Sequence, residues 1–90
     1  MNKDYFYFYN KVNGNDVSPT ARTVYRALLQ YANRKTWSCY PSVRTLMKDT
    51  GYCESTVRKQ LNILVRLGYI LKIARKRKDN GNSSNIYFFN

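Results

Sequence analysis

Two groups of side chains in this chain have the types and spacing to grip a polyanion. One is Glu54-Ser55-Thr56 followed by Arg58, Lys59 and Asn62; the other is the run Arg75-Lys76-Arg77-Lys78. Guanidinium and ammonium groups neutralise phosphates, and Arg58 and Lys59 are long enough to donate to guanine O6 and N7. The hydroxyls of Ser55 and Thr56 suit either a phosphate or a base edge. Other chemistry is poorly served. There is no histidine, and the five acidic residues Asp4, Asp16, Asp49, Glu54 and Asp79 are scattered. Cys39 and Cys53 lack a CxxC spacing and a His partner, so neither a nucleophilic pair nor a zinc site is expected. No phosphate-cradling Gly-rich loop occurs. The reading is a non-enzyme with no cofactor and no metal.

The charge balance agrees. Sixteen Lys and Arg stand against five Asp and Glu, a net +11 over 90 residues. Such an excess opposes compaction and favours a polyanionic partner, either nucleic acid or an anionic membrane surface. The charge is uneven: residues 1–17 are neutral, with Lys3 and Lys11 balanced by Asp4 and Asp16, whereas 75–78 are all cationic. The aromatic run Tyr5 to Tyr9 is far too short for a membrane span and lacks a cleavage-site pattern. A cytoplasmic protein with reduced thiols and no membrane partner is therefore expected.

The elements that must position these groups follow from periodicity. Ninety residues with 43% hydrophobic content allow one domain. Tyr5-Phe6-Tyr7-Phe8-Tyr9, read with a period of two, predicts an N-terminal strand with Phe6 and Phe8 on one face. Ser18-Pro19 is a helix start, and Ala21, Val24, Tyr25, Leu28, Leu29 and Ala32 form an apolar stripe of about four turns. Arg22 and Arg26 fall off that stripe, onto an exposed face. Trp37 to Tyr40 reads as a short extended segment whose aromatics belong to the core or a sheet edge. Tyr25 and Tyr31 are expected to pack on the first helix.

A second helix begins after Pro41-Ser42, carries Val43, Leu46 and Met47, and stops at Gly51. A third runs from about Cys53 to Leu67 with Val57, Leu61, Leu64 and Val65 buried, and Gly68 ends it. The tight turn between them is the arrangement of a helix-turn-helix. Two apolar segments, Tyr69 to Lys76 and Asn85 to Phe89, flank the turn formers 78–84 with their Asn-Gly, which predicts a β-hairpin with a basic arm.

That ordered set resembles known regulators. Pro41, Ser42, Arg44, Leu46, Gly51, Thr56, Val57, Leu61, Gly68 and Ile70 match the pattern of GntR-type proteins. Ser18 to Ala21, Ala32 to Lys35, Cys39 to Ser42 and Ser84 to Tyr87 resemble the winged-helix domains of plasmid and phage replication initiators more closely still. The resemblance implies an α+β winged helix-turn-helix over residues 1–90. It comprises an N-terminal strand or arm (1–17), a helical core (18–68) of three helices, and a wing hairpin (69–90) in a small antiparallel sheet. It also implies sequence-specific binding of double-stranded DNA, in mobile-element replication or transcription control. Base or phosphate contacts are implied at Ser55, Thr56 and Arg58, and a backbone contact at Arg44, with Ser42 beside it at the helix start.

Two departures bear on the site. Cys53 stands where the family has a Ser or Thr cap, and a thiol is a poor acceptor. Glu54 stands where GntR-type proteins often carry Arg. It either accepts from cytosine N4 or stabilises the helix start through the dipole. On a hairpin following a recognition helix, the run 75–78 is favoured as a phosphate or minor-groove contact over a solvated charge run, with two or three contacts as the ceiling.

Rival readings keep the same charge. One is a single-strand or structure-specific accessory of replication or conjugation machinery, stacking bases on the N-terminal tyrosines. Another is a winged helix that docks proteins, such as a replication-protein partner. Pairing with a second copy as a homodimer stays open, with the aromatic arm as a candidate interface.

Overall fold

A computed structural model describes residues 5–14, 16–75 and 84–90. In chain order the elements are α1 (Tyr5–Lys11), α2 (Pro19–Leu29), β1 (Ser38–Cys39), α3 (Val43–Thr50), α4 (Glu54–Arg66), β2 (Ile70–Arg75) and β3 (Ser84–Phe89).

Each helix of the core starts and stops where local chemistry requires it. Ser18 Oγ accepts from Ala21 N at 3.2 Å at the start of α2, with Pro19 at its first position. Ser42 Oγ accepts from Thr45 N at 3.1 Å at the start of α3. At the end of α4, Gly68 takes φ 85°, and Tyr69 N reaches back to Leu64 O (3.0 Å) while Gly68 N reaches Val65 O (3.1 Å). That pair of bonds is the Schellman stop, which needs a residue free to adopt the left-handed region.

The sheet is antiparallel in the order β1-β3-β2. The β2–β3 register runs from Ile70↔Phe89 to Arg75↔Ser84, and β1 pairs Cys39 with Tyr87. Alternation sends Ile70, Cys39, Tyr87 and Phe89 inward and leaves Leu71 and Ile73 exposed. Between sheet and helices lies one core, built on Val24, Tyr25, Leu28, Leu46, Val57, Leu61 and Leu64. Three helices around a tight turn, followed by the β2–β3 hairpin, make a winged helix-turn-helix, α+β as expected.

The N-terminus differs from its expected form. Residues 5–11 are a helix, not a strand, so the described residues form four helices. Phe8 is 1% exposed whereas Phe6 is 68% exposed, so the two do not share a face. Tyr5, Phe8, Tyr9 and Val12 are spaced at i, i+3, i+4 and i+7, which lays one helical stripe on the core. Arg22 and Arg26 hold that helix and are half-buried, not on an exposed face. Arg22 Nε donates to Val12 O at 2.9 Å; an Arg26 terminal nitrogen donates to Asn13 Oδ1 at 2.7 Å, and its guanidinium lies 3.9 Å from the centre of the Tyr9 ring.

The α2 helix is also shorter than its stripe suggested. It stops at Leu29, and Ala32 falls in the turn beyond it, where Asn33 N donates to Ser38 O at 2.9 Å and so ties the chain to β1. Tyr31 lies in that turn too, beyond the end of α2 and 44% exposed, with its hydroxyl donating to Asp49 on α3.

Candidate nucleic-acid interface

The α3–turn–α4 unit is set by its connector. Gly51, at φ 78°, closes α3 with its N–H on Met47 O at 2.9 Å. Thr50 Oγ1 bonds Leu46 O (2.7 Å) and accepts from Tyr52 N (3.2 Å), which fixes the exit of the turn. Val57, Leu61 and Leu64 then anchor the inner side of α4, together with Gln60, whose buried Oε1 has no hydrogen-bond partner among the described residues. Rigid placement of α4 follows from these contacts.

The opposite side of α4 presents the expected set. Glu54, Ser55, Arg58, Lys59 and Asn62 are all exposed, and Thr56 is half-buried. Positions 55, 58, 59 and 62 recur at i, i+3, i+4 and i+7, so one continuous polar stripe faces away from the core. Ser55 and Thr56 lie in the first turn, where unpaired N–H groups and the helix dipole suit an anion. Arg58 Nε donates to Glu54 Oε2 at 3.0 Å. Glu54 thus has a use beyond cytosine contact or the helix dipole: it holds Arg58 along the helix. The i, i+4 spacing was the available signal.

Cys53 sits at the cap position of α4 and forms no side-chain cap hydrogen bond, as expected of a thiol. Its Sγ instead lies 3.3 Å from both Ser55 Oγ and Thr56 Oγ1. Those two hydroxyls, Ser55 first, lower the exposed thiol to a pKa of about 7. Cys39 is the reverse case: burial in the core pushes it up to about 12. Both cysteines are free.

On α3, Ser42 is the cap, so its oxygen is already engaged with Thr45, and Arg44 is exposed in the first turn. Lys48, one turn beyond Arg44, is a further exposed cation that the expected set omitted. Of the wing residues, Arg75 is the last of β2 and its backbone pairs with Ser84. Lys76, Arg77 and Lys78 lie outside the described residues. Among the described residues, no helix is long and apolar enough to cross a membrane.

Residues 15–70 match a family described as a helix-turn-helix domain. No curated protein and no solved structure matches the chain.

Proposed function

The chain belongs to the helix-turn-helix domain family, and from that premise we propose that it binds double-stranded DNA sequence-specifically, with α4 in the major groove and the β2–β3 wing on the backbone or in the minor groove. DNA binding is what the domain implies. The observation that carries the finer reading is the exposed stripe of α4, in which Ser55, Arg58, Lys59 and Asn62 line one side of a helix anchored by Val57, Leu61 and Leu64, with half-buried Thr56 beside it in the first turn. The major groove admits one α-helix, and the second helix of a helix-turn-helix supplies it.

In this reading Ser55 and Thr56 bind phosphate, while Arg58 and Lys59 meet base edges and Asn62 extends the stripe. Ser42 and Arg44 at the start of α3 contact the backbone, as does the wing through Arg75, Lys76, Arg77 and Lys78. Replication or transcription control of a mobile element is the process that the resemblance to replication initiators suggests. Selecting bound duplexes from a random pool tests the proposal: one recurrent motif is expected, and enrichment of no sequence would refute it. A palindromic motif would point to two copies per site, and directly repeated motifs to an initiator.

A further inference from the structure

We propose that the open cleft between the α2–β1 loop and the start of α3 takes an unpaired nucleobase, so that the domain reads a single-stranded extension as well as a duplex. This rests on the nucleic-acid reading above and adds a second subsite, away from the stripe of α4. The cleft has a volume of about 410 Å³ and is lined by Tyr31, Asn33, Ser38, Tyr40 and Pro41. That volume lies within the roughly 300–1,000 Å³ of small-ligand sites.

Its walls are aromatic and open. Tyr31 is 44% exposed and Tyr40 66% exposed, and among the described residues neither ring is stacked on another or covered by a cation. Tyr31 is held in place, because its hydroxyl donates to Asp49. The loop is equally fixed: Trp37 N donates to Asn33 O at 2.7 Å, and Asn33 N to Ser38 O at 2.9 Å. A rigid aromatic face offers a base stacking surface with little entropy to lose.

The polar lining suits a base edge. Asn33 Oδ1 accepts from Lys35 N at 2.8 Å and Thr36 N at 3.4 Å, which orients the amide and leaves its NH₂ to donate. Ser38 Oγ is hydrogen-bonded to Thr36 Oγ1 at 2.7 Å and adds a hydroxyl. A base carbonyl is the natural partner of such donors. Lys35, between the lining residues Asn33 and Ser38 in the chain, and Arg44, three residues after Pro41, are both exposed cations available to the phosphates of a bound strand. The net charge of +11 favours a nucleic-acid occupant over a proline-rich peptide, the other ligand that tyrosine clefts accept.

The test compares a blunt duplex of the selected sequence with the same duplex carrying a deoxythymidine extension, at its 5′ or 3′ end, that contains one 2-aminopurine. With the intact protein, one extension is expected to tighten binding about tenfold and to quench the 2-aminopurine, as stacking on an aromatic ring does. Tyr40→Ala should abolish both effects without changing blunt-duplex affinity, and Tyr40→Phe should keep both. Tyr40 is exposed enough for its truncation to leave the fold intact. Neither extension adding affinity, Tyr40→Ala keeping the gain, or an equal loss on blunt and extended duplexes would each overturn the cleft. So would a proline-rich peptide bound through Tyr40 by a protein that ignores the extension. The single strand alone separates the two proposals. Tyr40-dependent quenching without blunt-duplex binding would sustain the cleft and sink the duplex reading, whereas blunt-duplex binding with no extension effect would do the reverse.

Discussion

Arg58 Nε donates to Glu54 Oε2 at 3.0 Å across one turn of α4, with side chains 59% and 61% exposed. An exposed pair of this spacing is worth only about 0.3–0.5 kcal/mol, whereas a good bidentate contact from arginine to guanine discriminates by about 1–3 kcal/mol. In the proposed complex, Arg58 would therefore leave Glu54 for a base edge at little cost. In the free protein Glu54 holds Arg58 along the helix, and on the proposed reading its carboxylate would repel phosphates brought close to it.

Arg58→Ala should accordingly weaken binding to the selected site by about 1–3 kcal/mol and relax preference at one base pair. Glu54→Ala should act in the opposite sense on random duplexes, tightening them while narrowing the gap to the selected site. Affinities of both variants for both duplexes at one fixed salt concentration check this. An equal loss on the two duplexes for Arg58→Ala would leave that residue as bulk charge alone.

Cys53 gives the domain a pH dependence of known sign. Its thiol falls from an ordinary value of 9.0 to about 7 because the Ser55 and Thr56 hydroxyls favour the thiolate. A folded-state pKa below the unfolded one contributes stability that is present above about pH 9 and lost as pH falls through about 7. Stability measured by denaturant unfolding should thus rise between those two pH values, and Cys53→Ser should remove that rise. Alkylation should follow the same group: Cys53 should react with iodoacetamide with a midpoint near pH 7, while buried Cys39 stays unreactive in the folded protein. A midpoint near 9 would show that the two hydroxyls do not act on the thiolate.

The α1 helix depends on α2 through Arg26, which bonds Asn13 Oδ1 at 2.7 Å and Tyr9 O at 3.3 Å and covers the Tyr9 ring. A hydrogen bond to a charged donor contributes about 1.5–3 kcal/mol and a cation over an aromatic ring about 0.5–1 or more. Arg26→Ala should then cost about 1–3 kcal/mol of stability, and it should raise amide exchange in α1 before any in α4. Uniform exchange across both helices would mean that α1 is not docked by this residue.

What the sequence made legible, and what it hid, divides along the same line. The helix-turn-helix is specified by local signals, namely Ser42 at a cap, Gly51 and Gly68 in the left-handed region, and Val57, Leu61 and Leu64 at helical spacing. Each acts within one or two turns, so each could be read directly. Tyr5 to Tyr9 carries no such phase, because a run of aromatics without polar positions fits a period of two as well as one of 3.6. Only packing of Phe8 and Val12 on the core chooses between them. Arg22 and Arg26 were misplaced for the same reason: off the apolar stripe of α2 they look solvated until α1 is known to lie beside them. On α4, by contrast, the outward residues Ser55, Arg58, Lys59 and Asn62 followed at once from the inward ones, and the structure places them on one side as the spacing required.

The last expectation concerns the electrostatic part of binding, which does not depend on which base Arg58 meets. Phosphate contacts release condensed counterions, so log affinity falls linearly with log salt by about 0.9 per phosphate neutralised on B-DNA. Four to six contacts from α3, α4 and the wing give a slope of about −4 to −5. Arg44 is exposed in the first turn of α3, and the proposal gives it one phosphate and no base. Arg44→Ala should therefore weaken selected and random duplexes by the same factor and flatten the slope by about 1. Binding isotherms over a range of salt concentrations measure both quantities together. If Arg44→Ala changed the selected motif and left the slope untouched, Arg44 would be reading a base, and α3 would be inserted in the groove more deeply than a helix-turn-helix allows.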